Sequence, residues 1–164
     1  MDVERLVAVL DRIAAGRRAT QRVPEADRAD PRVLAAFHRV TQLLVAEFVI
    51  GAAAVVEAFV LTEEGDRVPL LVWWRLLVVF GIAGTLLYFV WRARLGFRWA
   101  YSRLRLFSVV FPVIAIGTCL VPGLYPAWMV VEQVAFSAVL LLVRRALSTP
   151  PVRRAYARSP AGAG

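Results

Sequence analysis

Four ionisable side chains, Glu47, Glu57, Arg75 and Glu132, interrupt stretches that are otherwise apolar. A charged residue at the centre of a membrane helix costs roughly 2.5 to 3.5 kcal/mol on insertion scales, so such a residue points either to an internal ion pair or to a working site. At about 1.5 Å per residue, Glu57, Arg75 and Glu132 lie roughly 6 to 10 Å below one common end of their segments. Shared depth and opposite charge predict that Arg75 bridges the two carboxylates, with Gln133, Ser137 and Thr118 as polar neighbours. Two kinds of chemistry are open to that cluster. It can act as a structural clasp between helices, or, because two carboxylates and one guanidinium sum to −1, it can take up a proton or recruit a cation.

Glu47 stands apart from the other three. Gly51, Ala54 and Ala58 follow it at helical spacing and form a small-residue face that admits a close neighbour helix. Gly81, Gly84, Thr85 and Tyr88 offer a matching strip, and Tyr88 or Ser108 is predicted to hydrogen-bond Glu47. A membrane carboxylate without a basic partner is the kind of group a proton-coupled carrier uses; an interhelical hydrogen bond is the plainer reading. The candidate sites are therefore a polar cluster of Glu57, Arg75, Glu132 and Gln133, and a proton-linked pair of Glu47 and Tyr88.

The remaining reactive side chains narrow the field. A single cysteine, Cys119, excludes an intramolecular disulfide framework, a C-x-x-C pair and a multi-cysteine metal site, and is expected to be a packing residue. A single histidine, His38, cannot build a metal or bis-histidine haem site within one chain. With no intramembrane Asp pair, His-rich motif or Ser/Lys dyad either, the sequence predicts no metal, no cofactor and no enzymatic activity.

The elements that must position these residues are membrane helices. The chain is 60% hydrophobic with a mean hydropathy of +0.65, above the roughly half-apolar composition of a soluble domain. Its apolar residues are blocked rather than periodic, at about 40–61, 70–91, 104–121 and 126–143, and about 20 apolar residues suffice for one crossing. The expected fold is all-α: a polytopic membrane protein with a four-transmembrane-helix bundle at 31–146. Asp30-Pro31 supplies a helix start. Trp73, Trp74 and Trp91 mark both interfaces of the second span, Pro112 is expected to bend the third, and Pro122-Gly123-Leu124-Tyr125 forces a tight hairpin between the last two.

Outside the bundle, Val3, Leu6, Val7, Leu10, Ile13 and Ala14 recur at helical spacing, so residues 2–15 are expected to form an amphipathic helix within a cytoplasmic segment 1–30. Residues 147–164 have no apolar periodicity and are expected to be a disordered cytoplasmic tail.

The net charge of +8 and pI near 11.1 could suggest phosphate binding. Its placement gives a different account: every basic residue is arginine, and all but Arg67 and Arg75 flank the same ends of the spans. Such bias sets orientation, with arginine-rich flanks retained inside. The sequence thus predicts a multi-pass protein of the bacterial plasma membrane, both termini cytoplasmic, with the lipid bilayer as partner and no nucleic acid.

A glutamate in the first of four spans resembles the pattern of small multidrug-resistance transporters, although those are shorter chains and their dual-topology members carry little arginine bias. The stretch from Arg92 to Arg145, with Arg103-Leu104-Arg105, Pro112, Pro126-Ala127-Trp128-Met129 and Glu132-Gln133, is similar to uncharacterised four-span integral membrane proteins of actinobacteria. That resemblance covers about a third of the chain and implies the fold, without an activity. The functional expectation is a non-enzymatic membrane component, self-assembling as a homo-oligomer or accessory to a larger membrane complex. The alternative is a small proton- or cation-linked transporter or channel using the intramembrane glutamates.

Overall fold

The computed structural model describes residues 22–65 and 69–157. The amphipathic segment expected at 2–15 lies outside them. The described residues form a short helix α1 (Glu25–Arg28), four long helices α2 (Pro31–Glu63), α3 (Leu70–Arg94), α4 (Arg98–Cys119) and α5 (Ala127–Leu147), and a closing helix α6 (Pro150–Ala157). The four long helices are each apolar and long enough to cross a membrane. The protein is an all-α, four-helix membrane bundle.

Local sequence sets the helix limits. Asp30 caps α2, its side chain accepting from the Arg32 backbone N–H at 2.8 Å, with Pro31 in the first turn where no amide hydrogen is needed. Gly65, Gly96 and Gly123 adopt positive φ in the connections, at +92°, +89° and +73°. α4 continues through Pro112, whose side is buried.

Each long helix buries a stripe stepping by three and four residues. On α2 it runs Val40, Leu44, Glu47, Gly51, Ala54, Ala58; on α3, Val72, Leu76, Val79, Ala83, Leu86, Val90; on α5, Met129, Gln133, Phe136, Leu140, Val143, Leu147. That spacing keeps one seam of each helix turned inward, the condition for side-by-side bundle packing. Consecutive long helices are neighbours, and α5 returns against α2 to close the ring. Opposite faces stay apolar and exposed, as with Val56, Leu77, Val113 and Leu141, which suits a lipid solvent.

The apolar core comes in two parts. A small cluster of Ala54, Ala58, Val72, Leu76 and Met129 fills one end. A larger one, from Val40 and Leu86 to Leu147, fills the arginine-rich end. Between them the stripes of α2 and α5 carry Glu47, Glu132 and Gln133, so the interior polar groups form a layer that splits the core.

The arginine-rich end is closed by the chain on either side of the bundle. The Val23 N–H donates to Gly96 O at 2.9 Å, and Arg28 donates to Leu95 O at 3.1 Å. The disorder expected over 147–164 is corrected over 150–157 by α6, where Val152, Ala155 and Tyr156 are buried; residues 158–164 lie outside the described residues. Tyr156 donates to Ala93 O at 2.5 Å and stacks on Tyr101 at 4.4 Å between ring centroids, while Tyr101 donates to Leu147 O at 3.0 Å. Proline at the start of α6 does not block it, because the first turn has no use for those amide hydrogens.

Candidate intramembrane polar site

Arg75 enters the bundle from the first turns of α3, and Glu132 faces it from the second turn of α5. Their charged groups meet at 3.5 Å, with side chains 11% and 7% exposed. The Arg75 guanidinium also lies over the Tyr125 ring, 5.0 Å from its centroid, so an aromatic from the tight hairpin covers its second side. One Glu132 oxygen, Oε1, and Arg75 Nε remain buried without a hydrogen bond.

Gln133, the next residue, is fully buried and turns toward α4. Its side-chain oxygen accepts from the Thr118 hydroxyl at 2.9 Å and from the Cys119 thiol at 3.3 Å. The Ser137 hydroxyl donates to the Gln133 backbone oxygen at 2.8 Å. The side-chain nitrogen of Gln133 has no partner. A cavity of about 160 Å³ opens beside these groups, lined in part by Arg75, Thr118, Tyr125, Gln133 and Phe136.

The third member of the expected clasp is not there. Glu57 is exposed on α2 and forms no ion pair with Arg75. Depth alone had suggested the contact, but azimuth forbids it: ten residues at about 100° each leave Glu57 about 80° round the helix from Glu47 and its buried stripe. The residue the inward stripe does deliver is Glu47, 1% exposed, which interacts electrostatically with Glu132. The interior cluster is thus Arg75, Glu132 and Glu47, with Glu132 coupled to both of the others.

Glu47 has no hydrogen-bond partner at either carboxylate oxygen, so the expected bonds from Tyr88 and Ser108 do not form. Ser108 donates instead to Arg105 O at 2.9 Å. Tyr88 sits among Phe89, Trp91 and Trp99, with Arg92 over its ring at 6.0 Å. The small strip of α3 also turns away: Gly81, Gly84 and Thr85 are exposed, and a Cβ at either glycine would meet nothing within 4 Å. Gly51 is the small residue that faces α3, its Cβ position 4.0 Å from Phe80.

Tyr125 and Cys119 were not foreseen as members of the site. The signal for Tyr125 was its place in the four-residue connection between the last two spans, at the end of the bundle where Arg75 lies; Cys119 had none, since one cysteine in an apolar run gives no hint of a hydrogen bond. Among the described residues no group of His, Cys, Asp and Glu could hold a metal ion. Comparisons with models of protein families, with curated proteins and with solved structures found no match.

Proposed function

We propose that this four-helix membrane protein is a non-enzymatic component that assembles within the bilayer, with itself or with a larger complex, through the face of α2 that carries Glu57. The carrying observation is the exposure of that carboxylate on an apolar helix, between Val56 and Phe59. A short acidic side chain cannot reach far toward water, and a partner helix bearing a hydrogen-bond donor relieves it at about 0.6 to 2 kcal/mol. The outward Gly81, Gly84 and Thr85 of α3 give a further exposed surface on which a second helix can lie close. Orientation in a bacterial plasma membrane with the arginine-rich end inside, and kinship with the actinobacterial four-span proteins, belong to the same reading.

The test is mass measurement of the full chain extracted in mild detergent, with identification of co-purifying proteins. The reading expects an oligomer or complex that loosens in Glu57→Leu, by roughly threefold to thirtyfold in dissociation constant. A wild-type monomer with nothing attached would end it.

A second reading, a proton-linked carrier, is supported by Glu47. Its carboxylate is buried without hydrogen bonds and feels the charge of Glu132, and one proton would bring the Arg75, Glu132, Glu47 cluster to neutrality. Proteoliposomes that show no proton-driven flux differing between wild type and Glu47→Gln would remove this second reading and leave the first standing.

A further inference from the structure

A groove of about 550 Å³ runs between α2 and α5 at the arginine-rich end. Each wall is one helix face: Arg39, Gln42, Leu43 and Ala46 step by three and four along α2, and Leu142, Arg145, Ala146 and Thr149 do the same at the end of α5 and just beyond. The helices run antiparallel, so the positions nearest the bundle end are Arg39 and Gln42 on one side and Arg145 and Thr149 on the other. Leu43, Ala46, Leu142 and Ala146 lie at or below them, toward the middle of the membrane. The groove is polar and doubly cationic at its mouth and apolar along its floor.

We infer that this groove is a binding site for an anionic glycerophospholipid, its phosphate held between Arg39 and Arg145 and the upper part of one acyl chain laid against Leu43, Ala46, Leu142 and Ala146. Three observations select that occupant. No acidic residue lines the groove, and neither guanidinium group has an ion pair or hydrogen bond to another described residue, so both are available to an anion. Two arginines converging from separate helices match the oxygens of a phosphodiester, which guanidinium groups bind through paired N–H donors. The gradient from charge to hydrocarbon follows the gradient of a lipid molecule standing in its own leaflet, and basic clefts between helices are the recognised setting for anionic headgroups. A water-soluble anion would use the mouth and leave the floor empty; a second protein helix would bring apolar surface but nothing for the two charges.

The site lies at the opposite end of the bundle from Glu57, so assembly and lipid retention can be measured separately. The full chain, extracted in mild detergent and reconstituted in nanodiscs of mixed phosphatidylglycerol and phosphatidylcholine, is analysed by native mass spectrometry after release. The expected result is retention of phosphatidylglycerol well above its share of the mixture, and a rise in melting temperature on adding it that phosphatidylcholine does not produce. Arg39→Gln with Arg145→Gln should lower the preference by roughly tenfold. Ala46→Trp, at an exposed position, fills the floor and keeps both charges; it should abolish retention while leaving the melting temperature in detergent alone unchanged. The inference is overturned if the preference survives both variants, if phosphatidylcholine is retained equally, or if glycerol phosphate stabilises the protein as much as the intact lipid.

Discussion

Removing the Arg75 guanidinium leaves the Glu132 carboxylate inside the bundle without the cation that faces it at 3.5 Å. Breaking a buried pair from one side costs about 3 kcal/mol or more, because the surviving charge is stranded. Arg75→Ala should therefore lower thermal stability in detergent by about that amount, and Arg75→Ala with Glu132→Gln should cost less than the two single changes together. Additive losses would show that the pair contributes nothing jointly. At the other end, Tyr156→Phe should cost about 1 kcal/mol through the bond to Ala93 O. Burial pushes the Tyr156 hydroxyl up from its ordinary value of 10.0, so its contribution is whole below about pH 10 and is lost as pH climbs through the higher folded value. An alkaline titration of stability should show that loss in the wild type and a smaller one in the phenylalanine variant. Arg75 with Glu132 was legible in the sequence because opposite charges at one depth inside a bundle have few other options. Glu57 was misplaced for a plain reason: depth follows from counting residues, whereas the face a side chain occupies follows from the whole buried stripe.

The connections between elements are held by backbone geometry more than by side-chain mass. Gly96 sits at φ +89°, and a Cβ there would come 2.8 Å from Arg28 Cδ, the side chain whose guanidinium bonds Leu95 O. Gly96→Ala should cost about 2 kcal/mol, combining left-handed strain with displacement of Arg28. Gly123→Ala, at φ +73° with open space around it, should show the conformational share alone. Melting curves of the two variants in one detergent check the difference, and equal losses would mean that Arg28 yields freely. Hydropathy blocks made the four long helices readable, since nothing but a spanning helix accounts for so many consecutive apolar residues. α6 escaped notice because three buried residues, Val152, Ala155 and Tyr156, are too few to declare a period, and the prolines that open it resemble a break.

The molecule as a whole is asymmetric along its axis, with the larger apolar core, the tyrosine pair and the surrounding arginines gathered at one end. Reporter fusions at Gly96 and Gly123 should land on opposite sides of the membrane, Gly96 inside, given the arginine bias. Both on one side, or Gly96 outside, would defeat the orientation. α2, at 33 residues, measures about 50 Å and outreaches the roughly 30 Å of hydrocarbon, so part of it stands clear of the lipid and carries the docking of α1 and α6. The latch of Tyr156 on Ala93 has a temporal side. A ribosome completes the loop at Gly96 long before it makes residue 156, so the Ala93 carbonyl, which the Gly96 N–H already meets at 2.8 Å, waits for its second donor through the synthesis of the last two spans. Only a chain translated past Tyr156 and threaded correctly can bring the tyrosine to it, so the latch closes only after the last two spans are made, and a chain cut short before residue 156 or misthreaded cannot form it.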